Sequence, residues 1–122
     1  MSNKNIKKRK LEEFDFSKDI IDKVKPIVHQ IEKGDRNKAQ KAVAELCLEL
    51  CEKIGKNAIK PVDADRIFTL LSIYVGDNFS DFKFDADIDK IIFEGMILHD
   101  LGKSYGADME YMKKLARQYL KV

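Results

Sequence analysis

The sequence predicts an all-α protein, a compact bundle of about five helices preceded by a flexible basic arm. Apolar residues recur at spacings of three and four in five stretches, the pattern of helices with one buried face. Only two prolines and six glycines are present, too few for a β protein with many turns. A 44% hydrophobic and 36% charged composition also suits helices with salt-bridged outer faces. At 122 residues the chain fits one domain.

The first two helices are bounded by residues that commonly cap helices. Ser17 can cap the first helix and Gly34 can end it. Pro26 lies off the apolar stripe, so we expect it to kink this helix without opening its packed side. The turn GDRN then leads into a second helix over about 38–54, which Gly55 closes.

A third helix is predicted over about 64–75, with Asp63 as its cap and Gly76 as its stop. The segment DNFSDFKF follows, with three phenylalanines in eight residues. Alternation within it would suit a short extended segment. Three apolar rings in a connection favour instead a loop that plugs the bundle.

The fourth helix is predicted to begin after Asp85 or Asp87 and to end near Leu101. Its apolar residues leave little polar face, so we expect it to be the most buried helix or to be half-buried by a partner chain. Gly95 inside it indicates a close approach between helices. A fifth helix is predicted from about residue 107 or 108 to residue 120.

Residues 1–14 are predicted to form a flexible basic arm, because nothing in them repeats at a helical period, and residues 15–122 to form a single helical domain. The arm's first ten residues contain five bases and no acid, and these bases could contact nucleic-acid phosphates: Lys4, Lys7, Lys8, Arg9 and Lys10. No sequence motif that recognises nucleotide bases lies next to these basic residues.

Residues 77–100 carry seven acidic residues against two lysines, and this acidic stretch could bind a basic partner. The sequence has no apolar run long enough to span a membrane and no export signal, which predicts a cytoplasmic protein.

One short motif suggests a metal site. LHDLGK, residues 98–103, resembles the core motif of HD-domain metal phosphohydrolases. The resemblance implies that His99 and Asp100 bind a divalent metal ion, which activates water against a phosphoester, and that Lys103 lies near phosphate. It covers six residues, and the other histidine, His29, is seventy residues upstream. The alternative is an ordinary last helical turn, with His99 favoured by the helix dipole and Gly102 as the left-handed exit; that alternative leaves Asp100 unexplained.

Two other clusters have simple structural explanations. Cys47 and Cys51 lie one helical turn apart on an apolar face, as core residues do, and a zinc site would need two further ligands. Several aspartates could suggest calcium or magnesium, but they lack the ligand order of an EF-hand, and acids in first helical turns complement the dipole. These are Asp63, Asp65, Asp85, Asp87 and Asp89.

The sequence therefore favours a protein-interaction module without catalytic activity or cofactor, with homodimerisation as one form of that interaction. No nucleophile elbow and no phosphate-binding glycine loop is present, so an enzyme is the less favoured class. The first alternative is an HD-like metal-dependent phosphohydrolase, or its inactive remnant, carried by His99 and Asp100. The second is an accessory nucleic-acid-binding protein that uses the basic arm.

Overall fold

The computed structural model describes residues 10–98 and 109–121, and all regular structure in these ranges is helical. This confirms the predicted all-α bundle. A short 3₁₀ helix precedes five α-helices: Leu11–Glu13, then α1 Lys18–Glu32, α2 Arg36–Gly55, α3 Pro61–Asn78, α4 Ala86–Met96 and α5 Met109–Leu120. Within the described ranges, no helix combines the length and the apolarity needed to cross a membrane.

The helices enclose one apolar core. α2 packs against α1, α4 and α5, while α3 packs against α1 and α4, and α4 also contacts α5. Contacts of Gln40 with Tyr119 and of Cys47 with Met112 show that α2 and α5 run antiparallel. Every α-helix contributes fully buried side chains to the core, among them Val24, Ile27, Leu50, Ile67, Phe68, Leu70, Leu71, Ile88, Ile91 and Met112.

The predicted limits of α1 are confirmed. The Ser17 hydroxyl accepts a hydrogen bond from the Ile20 amide at 3.4 Å, which satisfies one free donor of the first turn. Gly34 follows the helix with a φ of +77°, in the left-handed region where glycine is favoured. Pro26 lies on the exposed side of an uninterrupted helix, as its position off the apolar stripe predicted.

The predicted limits of α2 and α3 were partly wrong. Asp35 caps α2 by accepting the Lys38 amide at 3.0 Å, so the helix begins two residues earlier than predicted. Gly55 is the last residue of α2, as predicted, and Asn57, with a φ of 59°, takes the left-handed position after the helix. α3 begins at Pro61 and not after Asp63, because proline is pre-organised for the first helical position. It also continues through Gly76 to Asn78.

The prediction that the fourth helix is the most buried was wrong. Nine of the eighteen α3 residues are buried, against four of eleven in α4, so α3 is the more central helix. α4 also ends at Met96, five residues before the predicted end. The close approach predicted at Gly95 is present: a Cβ atom there would overlap the ring of the fully buried Phe68.

The segment before α1 differs from the predicted arm over its last residues. Leu11 and Phe14 are each only 6% exposed, and the Phe14 ring meets the Tyr74 ring edge-on at 5.6 Å. Leu11 and Phe14 therefore belong to the core packing, whereas residues 1–9 lie outside the described part of the chain. The three rings of the α3–α4 connection are partly buried against the core, as predicted for a plug, and two of them, Phe82 and Phe84, pack edge-on at 4.8 Å.

Candidate functional site

The outer face of α4 carries a large apolar side chain that does not pack into the helical core. We define it as Ala86, Asp89, Lys90 and Phe93, which are all exposed and lie at positions i, i+3, i+4 and i+7 of the helix. Phe93 is 62% exposed, more than Val62 at 38% or Ile73 at 41%, the other large apolar side chains described as exposed. Met96 and Ile97 continue this apolar surface half-buried.

The charged side chains on this face form no ion pair with any residue that the structure describes. Ion pairs elsewhere on the surface join neighbouring helices or successive turns of one helix. Lys23 of α1 pairs with Glu49 of α2, and Lys53 pairs with Glu49 within α2. Among the residues that the structure describes, neither Asp89 nor Lys90 forms an ion pair. Within the described residues, the face thus presents an exposed aromatic ring next to a carboxylate and an ammonium group that have no ion-pair partner.

A polar junction around the buried Gln40 holds the start of α4 against α2 and α5. Gln40 is fully buried; its amide nitrogen donates to the Asp85 carboxylate at 3.1 Å and to the Tyr119 hydroxyl at 3.0 Å. Its amide oxygen accepts the Asp85 backbone N–H at 2.5 Å. Arg36 donates to the Asp85 carboxylate at 2.6 Å and to the Lys83 carbonyl at 2.8 Å. The hydrogen bonds from Arg36 and then Gln40 hold the pKa of Asp85 below its usual range.

The junction has a structural role, because its side chains form hydrogen bonds with one another. Asp85 is the N-cap residue of α4, but its side chain caps no backbone amide and is used by Arg36 and Gln40 instead. Throughout the described residues, every buried side-chain nitrogen or oxygen has a hydrogen-bond partner. The junction therefore fixes the position of α4 and supplies no free acid or base for chemistry.

A cleft between α1, α2 and α3 is lined by charged side chains of both signs. This cleft of about 670 Å³ lies where the first turns of α1 and α3 meet the end of α2. Its charges balance: three lysines and three aspartates line it, namely Lys23, Lys53, Lys60, Asp19, Asp22 and Asp63. Lys23 and Lys53 form ion pairs with Glu49, and the hydroxyl of Ser17 caps α1.

Of the two histidines in the sequence, only His29 lies among the described residues. His29 is exposed on α1, in a shallow cleft beside Lys25, Glu32 and Tyr74. His99 and Asp100 lie outside the described residues, as do Lys103 and Gly102, so the HD-like site stays a prediction from the motif. In residues 10–98 and 109–121, no three histidine, cysteine or acidic side chains are grouped as a metal site requires.

The two cysteines are core residues, as predicted. Cys47 is fully buried and Cys51 is 2% exposed, and both are free thiols. The Cys47 thiol donates to the Met112 carbonyl across the α2–α5 contact at 3.7 Å. The hydrogen bond with Cys51 and burial raise the pKa of Cys47, so this thiol stays protonated and packs as a small apolar group.

Of the five basic residues of the predicted arm, one lies among the described residues. Lys4, Lys7, Lys8 and Arg9 lie outside the described residues, and the nucleic-acid alternative stays a prediction. Lys10 is exposed at the start of the described chain, where its backbone amide donates to the Glu13 side chain at 3.2 Å.

Comparison of the chain with protein-family models, curated proteins and solved structures gives no match. The sequence analysis expected α4 to be the most buried helix or to be half-buried by a partner chain, but it did not single out Phe93 or the other residues of this outer face. The signal that would have found it is the second stripe of the helix, in which residues 86, 89, 90 and 93 repeat the spacing of the buried stripe.

Proposed function

We propose that this chain is a protein-interaction module without catalytic activity, and that the outer face of α4 is its contact surface. The single observation that carries the proposal is Phe93, a large aromatic side chain that is 62% exposed on a rigid helix. Aromatic residues are enriched in the energetically dominant parts of protein interfaces because they bury a large apolar area at a small cost in side-chain entropy.

The position of Phe93 supports the proposal further. Two turns of α4 are fixed by the Asp85 junction at one end and by the Gly95–Phe68 contact at the other. A ring on such a helix is presented in one orientation, which lowers the entropy lost on binding. Asp89 and Lys90 beside it can form charge pairs with a partner without breaking an ion pair to any described residue.

Site-specific photo-crosslinking tests this function. A photoreactive phenylalanine analogue is placed at position 93, and in separate variants at positions 73 and 62, which are the matched exposed apolar sites on another helix. The purified chain and a native cell extract are then irradiated separately. We expect one discrete protein adduct from position 93 and only diffuse or no adducts from the two controls. Equal labelling at the three positions, or no adduct from position 93 in either sample, would contradict the proposal.

A further inference from the structure

We infer that the partner of the outer face of α4 is a second copy of this chain, with the two α4 helices packed antiparallel across a two-fold axis. This inference rests on the proposed function and names its partner. It rests on the order of the four side chains along the face. When a second copy of the face runs in the opposite direction, the charges and sizes of the facing side chains are complementary.

The match concerns both charge and size. In an antiparallel pair centred between positions 89 and 90, Asp89 of each copy lies level with Lys90 of the other. In the same register, Phe93 of each copy lies level with Ala86 of the other, so a large ring faces a small methyl group. Two opposite-charge pairs and two ring-to-methyl contacts form together, as a self-complementary two-fold interface requires.

Parallel packing lacks this complementarity. In register, two parallel α4 helices would place Asp89 against Asp89, Lys90 against Lys90 and one Phe93 ring against the other. Like charges at an interface are unfavourable and act against the wrong arrangement. The adjacent acidic and basic residues, Asp89 and Lys90, therefore favour the antiparallel arrangement over the parallel one.

The parts of the face have different roles in this dimer. Exposed ion pairs contribute little to affinity, whereas burial of Phe93 removes a large apolar surface from water. The ring contacts thus supply the affinity and the charges set direction and register. α4 has eleven residues and is about 16 Å long, so the contact is smaller than the roughly 1,200 Å² of a stable complex. The dimer is accordingly weak and concentration-dependent.

Charge reversal of the two facing positions tests the register. Asp89→Lys gives a face with two lysines, Lys90→Asp gives a face with two aspartates, and the double variant exchanges the two charges. The three variants, the wild type and Phe93→Ser are compared by sedimentation equilibrium from low micromolar to millimolar concentration. Asp89 and Lys90 are exposed and unpaired within the described chain, so circular dichroism should show an unchanged fold for the charge variants.

We expect each single reversal to weaken dimerisation roughly tenfold, because both symmetric charge pairs become repulsive. The double variant should dimerise as the wild type does. An equimolar mixture of Asp89→Lys and Lys90→Asp should also recover association, since every pair in that heterodimer is of opposite charge. Phe93→Ser should lower association more than any charge variant.

Three results would overturn the inference: a wild type that stays monomeric to millimolar concentration, single reversals that dimerise like the wild type, or a mixture that fails to recover. Each of these leaves the proposed function standing if position 93 still forms a crosslink to another protein. Failure of the function itself is recognised by the absence of any adduct at position 93.

Discussion

Replacing Gly95 by alanine should destabilise the protein, because the α3–α4 contact has no room for a side chain there. Gly95 is buried, and the Cβ of an alanine would overlap Cγ and the adjoining ring atoms of Phe68. These atoms are close to the root of a fully buried side chain, so the ring cannot simply move aside. Either α4 must shift away from α3 or the ring must leave its rotamer.

Two opposing effects decide the size of the change. Overpacking of a core typically costs about 1–3 kcal/mol. Alanine is favoured over glycine inside a helix by about 1 kcal/mol, but Gly95 is next to the last residue of α4, where this gain is smaller. We therefore expect the free energy of unfolding to fall by about 1–2 kcal/mol. Urea unfolding followed by far-ultraviolet circular dichroism measures this as a lower midpoint at an unchanged slope.

Gly76→Ala is the matched control for this substitution. Gly76 is exposed inside α3, lacks a positive φ, and has no atom within 4 Å of a built Cβ. The same chemical change should therefore raise the free energy of unfolding by up to about 1 kcal/mol. If Gly95→Ala unfolded at the same urea concentration as Gly76→Ala or at a higher one, the steric reasoning would be refuted.

Three further predictions follow from burial and charge. Phe14→Ala should lower the free energy of unfolding by about 3 kcal/mol in the same assay, because the ring is only 6% exposed. A loss near zero would indicate that residues 11–14 are only loosely attached to the bundle. Asp85→Asn should be less stable than the wild type at neutral pH. Since Arg36 lowers the folded-state pKa of Asp85, its stabilisation is present above the unfolded pKa of about 3.9 and is lost as the pH falls through the folded value. The difference between the two proteins should therefore narrow below about pH 4, and a constant difference from pH 7 to pH 2 would contradict the ion pair. Cys47 and Cys51 should react with a thiol reagent only when the protein unfolds, and prompt reaction of either thiol under native conditions would contradict their burial.

The sequence was most informative where one side chain acts on its own backbone. Ser17 and Gly34 mark the limits of α1 because a hydroxyl cap and a left-handed glycine are local effects. The same reasoning failed at α3, where Asp63 was preferred as a cap although Pro61 precedes it. Gly76 failed as a stop because a glycine ends a helix only where the chain adopts a left-handed turn, and α3 continues there.

Contacts between distant residues could not be read from spacing. Gln40 is one polar residue in a charged stretch of sequence, yet it is fully buried and binds Asp85 and Tyr119 from two other helices. Its role depends on the way in which α2, α4 and α5 meet. The predicted ligands His99 and Asp100 depend on a six-residue motif, so the sequence alone supplies their candidate role.

The outward position of Phe93 follows from the same contact that Gly95→Ala tests. Phe93 and Gly95 are two residues apart, which places them on nearly opposite sides of a helix with 3.6 residues per turn. α4 can approach Phe68 closely only with the glycine facing it, so the rotation that seats Gly95 also turns Phe93 away from the bundle. A rotation that buried Phe93 would place a residue with a side chain against Phe68 instead. The exposed ring is thus a consequence of tight α3–α4 packing, and a change at Gly95 that shifts α4 should also weaken association through Phe93.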